Sequence, residues 1–332
     1  MRKMASIRVI DKIEPIEGAD AIEAAVIGGW KVVVKKGEFA IGDLAVYLEI
    51  DSWVPTELAP FLSKGKEPRE FNGVKGERLR TVKLRGQLSQ GLLLPYNTIS
   101  EYGMVVDGDD VTEFLGIQKW ERPMNAQLAG MAKGNFPSLI PKTDQERVQN
   151  LVKEIAAADG MAFEVTEKLE GSSMTCYLID GVFGVCSRNL DLKETADNTF
   201  WQVARAEGIE EKMREIPDGE WAIQGELIGP DIQGNIYKLS NPEFRVFDVY
   251  NIKSGEYLTP VFRRALIERM GLKHVPVLNS EYTLDQTVDE ILASAEGQSC
   301  HAKTEREGIV FKQVDGGMTF KAISNKYLLG EK

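Results

Sequence analysis

Apolar and polar residues alternate over short stretches in the first third of the chain. The pattern predicts strands at Ala5–Ile10, Ala21–Ile27, Trp30–Lys35, Leu44–Ile50, Leu79–Leu84 and Gly91–Leu94. Turn-forming clusters separate them, among them Glu17-Gly18-Ala19-Asp20, Gly28-Gly29, Gly37-Glu38 and Gly42-Asp43. Beyond residue 142 the period changes. Helical spacing follows the capping sequence Thr143-Asp144-Gln145-Glu146 and predicts a helix over Arg147–Ala158. Further helices are expected at Lys193–Glu207, at Pro260–Met270 with Thr259 as cap, and at Leu284–Ala295. Strands are expected at Ala162–Lys168, Ser173–Ile179, Val182–Ser187, Trp221–Leu227, Phe244–Tyr250, Gly308–Gln313 and Met318–Ala322.

Two domains fit 332 residues better than one, because a single core rarely grows that large. Residues 1–120, all short strands, suggest an OB-like β-barrel. Residues 121–142, with Pro123, Gly130, Gly134, Pro137 and Pro141, look like a connector. Residues 143–332 mix helix and strand without regular βαβ alternation. The expected class is therefore α+β, a barrel followed by a mixed α/β domain.

Charge and composition narrow the function. A net charge of −11 argues against a protein that coats nucleic acid indiscriminately, yet allows a local basic surface. Lys75–Arg85 supplies one, and on a strand Arg78, Arg80, Lys83 and Arg85 would form a phosphate-facing stripe; a solvated edge strand blunted by charge fits equally well. Three scattered cysteines and two histidines leave no disulfide framework, zinc site or histidine relay to expect. Apolar runs are short and the start of the chain lacks a signal core, so no membrane partner and a cytoplasmic location are expected.

The candidate chemistry starts at Glu167-Lys168-Leu169-Glu170-Gly171. A lysine amine attacks phosphorus once desolvation or nearby cations lower its pKa. Glycine lets the backbone approach a bulky phosphate. Five more segments follow: Ser187-Arg188-Asn189, Gln224-Gly225-Glu226-Leu227, Phe244-Arg245-Val246-Phe247-Asp248, Glu307-Gly308-Ile309-Val310-Phe311-Lys312 and Phe320-Lys321-Ala322-Ile323-Ser324-Asn325-Lys326.

Six segments in this order resemble the covalent nucleotidyltransferase superfamily of ATP-dependent ligases and capping enzymes, over roughly residues 140–328. With a barrel before the catalytic domain and too few residues after Lys321 for another, the chain most resembles the nick-sealing ATP-dependent RNA ligases with an N-terminal OB domain.

That resemblance implies roles. Lys168 would attack the α-phosphorus of ATP and carry AMP as a phosphoramidate. Glu167 would accept from the adenine amino group, Glu226 would accept ribose hydroxyls, and Phe247 would stack on adenine, with Phe244 as rival. Arg188 would meet phosphate, and Arg147, read as first-turn helical, would meet the leaving pyrophosphate. Glu170 and Glu307 would hold Mg²⁺, or Mn²⁺ in its place; the family often has Asp where Glu170 stands. Lys312 and Lys321 would bring positive charge to the phosphate. The family often carries Lys-x-Lys in the last motif, where this chain has Lys321-Ala322-Ile323, so Lys326 is the available substitute.

The implied activity is sealing of RNA 3′-OH/5′-phosphate ends through lysine–AMP and RNA–adenylate intermediates, by a monomer acting on nicked RNA or RNA/DNA duplex. A DNA ligase, a capping guanylyltransferase and a non-catalytic RNA-binding protein with a degenerate pocket are the alternatives.

Overall fold

The computed structural model describes residues 2–122, 130–217 and 219–330. The chain divides into two compact units, Met1–Pro123 and Met124–Lys332.

The first unit is built from twelve short strands: β1 Ala5–Val9, β2 Lys12–Pro15, β3 Ile22–Ile27, β4 Trp30–Lys35, β5 Leu44–Leu48, β6 Ser52–Pro55, β7 Arg69–Phe71, β8 Val74–Arg78, β9 Val82–Leu84, β10 Gln87–Ser89, β11 Leu92–Pro95 and β12 Gln118–Lys119. They form antiparallel sheets ordered β1-β5-β11, β2-β3-β4 and β12-β6-β8-β7, with the hairpin β9-β10. Alternate residues Ala5, Ile7, Val46 and Leu48 point into one core with Val54, Leu79 and Val111.

The expected strand Leu79–Leu84 is not continuous. Leu79 turns into the core after β8 has ended, and pairing resumes only at Val82. Arg85 and Gly86 both have positive φ, the two-residue turn that closes β9 onto β10.

In the second unit the strands are β13 Ala132–Asn135, β14 Glu146–Arg147, β15 Ala162–Lys168, β16 Ser172–Ile179, β17 Val182–Cys186, β18 Leu190–Leu192, β19 Trp221–Ile228, β20 Glu243–Asn251, β21 Glu256–Tyr257, β22 Val277–Thr283, β23 Gly308–Gln313 and β24 Thr319–Ile323. Among the described residues the helices are α1 Val152–Ala157, α2 Thr199–Ala206, α3 Ile209–Arg214, α4 Pro260–Arg269, α5 Val288–Ala295 and α6 Asn325–Leu329. A seven-stranded sheet runs β13-β18-β17-β16-β19-β20-β21, and a five-stranded sheet runs β14-β24-β23-β15-β22.

Several expectations change here. Ala132–Asn135, read as connector, is an edge strand pairing with β18; residues 123–129 of that segment lie outside the described residues. The expected helix at Arg147 starts later, at Val152. Glu146–Arg147 instead pairs in parallel with β24, the Glu146 carboxylate accepting from Arg147 N and Asn150 Nδ2, and a short 3-10 turn at Val148–Asn150 precedes the helix. α2 begins at Thr199, where Asn198 accepts from two amides, and α5 begins after the Thr287 capping box. β22, mostly exposed and weakly alternating, was not expected at all.

Period-two alternation gives each sheet two different faces. On the five-stranded sheet, Phe163, Val165, Ile309, Phe311, Phe320 and Ala322 pack with α5 into one core. Glu164, Thr166 and Lys168 therefore face the other way, together with register partners Lys312, Val310 and Gly308 on β23. On the seven-stranded sheet, Met174, Cys176, Ile223, Leu227, Phe244 and Val246 pack against α2, α3 and α4.

Candidate active site

Lys168 ends β15, and its Nζ lies 2.6 Å from Glu307 Oε1, just before β23. Lys321 sits one strand further, its register partner Val310 being in turn the partner of Thr166. Arg147 is the parallel partner of Lys321 on the far side. Lys168, Lys312 and Lys321 thus share one face of one sheet, so three motifs distant in sequence deliver their amines to the same side. Arg147 is 6% exposed and belongs to this row as a strand residue, not a helix-surface one.

Lys312 joins the two sheets. Its buried Nζ donates to the Phe247 carbonyl at 2.7 Å and meets Asp248 Oδ1 at 2.6 Å, both on β20. The Phe247 ring, half-buried, lies 5.5 Å from that Nζ, whereas Phe244 is fully buried in the core on the other face. Phe247 is thus the aromatic on the lysine side. A register shift in β19–β20 between Gln224 and Gly225 makes this arrangement possible, since it re-aims residues 247 and 248.

Three glutamates stand around Lys168. Glu226 on β19 feels Lys168, Glu307 and Arg188; burial, the dominant cause, and Glu307 push its carboxyl up to about 8. Glu170 receives the hydroxyl of Tyr327 from α6, while its own amide donates to Tyr237 Oη at 2.6 Å. Gly171 lets this turn pass beneath β19, for a Cβ there would lie 2.4 Å from the Leu227 carbonyl oxygen.

Among the described residues no three His, Cys, Asp or Glu side chains converge closely enough to cage a metal directly. The donor set is oxygen only, and the Glu226 environment is one where a second negative charge is costly. An oxygen-only set of this kind would suit a hard, hydrated cation reached through its waters, with Glu170, Glu226 and Glu307 as the candidate carboxylates.

Glu167 departs from expectation. It is 1% exposed on the opposite face from Lys168, and its carboxylate accepts from Ser299 Oγ at 2.5 Å and Cys300 N at 2.8 Å. Strand alternation turns it away from the lysine face, and its side chain ties down the segment 299–300. Lys326 is likewise drawn off, 3.0 Å from Glu296.

Arg188 Nη2 donates to both carboxylate oxygens of Asp144, each at 2.9 Å, at a small cleft also lined by Phe136, Lys142, Ser173 and Thr175. Lys142, read as connector, and Thr143 and Asp144, read as a helix start, belong to this cleft. In the first unit, Arg78 does not stand in a stripe with its neighbours. It pairs with Asp51 at 2.5 Å and stacks on Trp120 at 3.7 Å. Arg80, Lys83 and Arg85 are exposed on and beside the β9-β10 hairpin.

A family model described as RNA ligase matches residues 161–327. An RNA ligase from Naegleria gruberi, solved with ATP and Mn, is 48% identical over 98% of this chain and 98% of that chain, with a TM-score of 0.93. The chain belongs to the RNA ligase family. The same Naegleria RNA ligase solved with PPi matches at 48% identity, TM-score 0.93, over 99% of this chain and 98% of that one. A variant solved with AMP and Mn matches at 47% identity, TM-score 0.94, over the whole of both chains. An OB-fold domain model matches residues 4–96, so this RNA ligase family member carries an OB-fold region ahead of a mixed α/β ligase domain. A comparison with the curated proteins finds no match. Among the described residues no helix is long and apolar enough to cross a membrane.

Proposed function

We propose that the protein is an ATP-dependent RNA ligase that seals 3′-OH/5′-phosphate ends, at nicks in RNA or RNA/DNA duplex, through lysine–AMP and RNA–adenylate intermediates. The observation that carries this is the placement of Lys168, Lys312 and Lys321 on one sheet face, with Glu307 2.6 Å from the Lys168 amine. A likeness of 48% to a ligase solved with ATP and Mn supports it.

In the first step the neutral Lys168 amine attacks the α-phosphorus of ATP. A P–N bond forms, the P–O bond to pyrophosphate breaks, and the amine proton leaves to solvent. Positioning and positive charge are what such a displacement needs, and Lys312 and Lys321 bring the charge. A divalent cation, Mg²⁺ or Mn²⁺, would supply charge neutralisation on the phosphates, with Glu170, Glu226 and Glu307 as the residues to hold it. Phe247 offers its ring to adenine, and the Arg188 cleft offers a guanidinium to the 5′-phosphate. AMP then passes to the RNA 5′-phosphate, and a 3′-hydroxyl displaces it. The exposed basic hairpin residues of the OB-fold unit would hold duplex backbone.

Incubation with ATP and a divalent metal should add one AMP to Lys168, read by mass spectrometry, and Lys168→Ala should abolish it. Adduct on the Ala variant sinks the nucleophile assignment. Comparing RNA-ended with all-DNA nicks, and ATP with GTP, separates this reading from a DNA ligase and from a capping enzyme.

A further inference from the structure

Behind Lys312 lies a set of buried charges with no part in the chemistry described so far. Glu164 is fully buried and is the cross-strand partner of Lys312. Its two carboxylate oxygens accept from Arg263 and Arg264 of α4. Arg263, 1% exposed, brings Nη1 within 3.6 Å of Asp248 Oδ1, and Asp248 holds the Lys312 amine at 2.6 Å.

His274 completes the set. Its Nδ1 lies 2.6 Å from the Val275 carbonyl oxygen, which can only accept, so Nδ1 carries the proton. Nε2 is then the acceptor for Arg263 Nε at 3.0 Å. The imidazole is neutral; burial first, then Arg263, lowers its pKa to about 4.

The cluster sets three cations, Arg263, Arg264 and Lys312, against the two carboxylates Glu164 and Asp248. Guanidinium groups keep their protons, so Lys312 is the member that can lose one. Burial, the largest cause, lowers its pKa to about 8, and Asp248 opposes that fall. The groups that bear on Lys312 are Asp248 from β20, Glu164 from β15, Arg263 from α4 and His274 from the segment before β22.

We propose that Asp248, Arg263 and Glu164 form a positioning relay that keeps Lys312 cationic and directed to the phosphate under attack, with Asp248 as the member in contact. The relay rests on the ligase function proposed above, which gives Lys312 its phosphate. Lys312 must be charged to stabilise the displacement, so adenylation falls as Lys312 loses its proton, and the relay sets where that fall begins.

The test is single-turnover lysine adenylation of the full chain with Mg²⁺ and ATP, from about pH 6 to about pH 10, in wild type, Asp248→Asn, Asp248→Glu and Glu164→Gln. Asp248→Asn should move the alkaline limb to lower pH by about one unit, an approximately tenfold loss at the alkaline end with little change at the acid end. The change should fall on the maximal rate more than on KM for ATP. Asp248→Glu should restore the wild-type limb, and Glu164→Gln should shift it the same way as Asn, by less.

An unmoved limb in folded Asp248→Asn, or an equal loss at every pH, overturns the relay. Wild type provides an arm that depends on no variant: competitive acetylation of Lys312 across the same range must give the midpoint of the alkaline limb, and a different midpoint overturns the proposal. Absence of any AMP adduct in wild type sinks the ligase function and the relay with it. Normal adduct with an unmoved limb sinks the relay alone.

Discussion

Replacing Glu167 separates two accounts of the residue beside the nucleophile. If its carboxylate contacts the adenine amino group, Glu167→Ala should raise KM for ATP and leave stability nearly untouched. The structure gives the opposite expectation. The carboxylate accepts two charge-assisted bonds, from Ser299 Oγ at 2.5 Å and Cys300 N at 2.8 Å, and Ser299 in turn accepts from His301 N at 3.1 Å. Each bond to a charged group is worth about 1.5–3 kcal/mol. Cys300 is exposed, so its amide can turn to water once released and recover part of the loss. A net cost of about 2–3 kcal/mol remains for Ala. Glu167→Gln should cost about 1 kcal/mol, because its amide oxygen still accepts from Cys300 and the Ser299 hydroxyl can turn to accept. In a domain of this size about 2–3 kcal/mol lowers Tm by roughly 4–12 °C. Calorimetry or urea unfolding reads the stability, and ATP titration of adenylation on the folded variants reads KM. A stable Glu167→Ala protein with a KM raised tenfold or more would refute the assignment.

Four further outcomes follow from the geometry. Glu226 has its folded pKa raised to about 8, so its stability contribution is intact below the unfolded carboxylate pKa and is lost as pH rises through about 8. In a chelator, Glu226→Gln should therefore match wild type in acid and exceed it in stability above neutral pH; equal urea midpoints at both ends would contradict this. His274 has its folded pKa lowered to about 4, so unfolding takes up a proton between about pH 6.5 and 4 and stability falls across that window; His274→Gln, which keeps an acceptor for Arg263, should flatten the slope, and an unchanged slope would refute it. Arg80→Ala, Lys83→Ala and Arg85→Ala should each weaken RNA binding and reduce its salt slope by about 0.9 per phosphate lost. Arg78→Ala should instead cost stability, since it loses Asp51 and Trp120; a normal Tm with a lower salt slope would reverse the assignment.

What the sequence alone determined lies on regular strands. Ala162–Lys168 and Gly308–Gln313 read as strands from their apolar, β-branched and aromatic content, and Phe163, Val165, Ile309 and Phe311 on the core face set the side on which Lys168 and Lys312 emerge. The motif order was equally legible, since the chemistry needs those residue types whatever surrounds them. The same alternation also placed Glu167 on the far face from Lys168, a consequence that the motif assignment overrode. Other features depended on groups far apart in the chain. The helical pattern at Arg147 is local, whereas its extended conformation comes from pairing with Lys321 on β24, far away in the chain. Arg78 looked like a phosphate ligand until Asp51 and Trp120, both distant in sequence, claimed it. Glu164, Asp248, Arg263 and His274 carry no local signal of belonging together. Only the packing of α4 against β15 and β20 brings them into contact, and burial then makes each charge depend on the others.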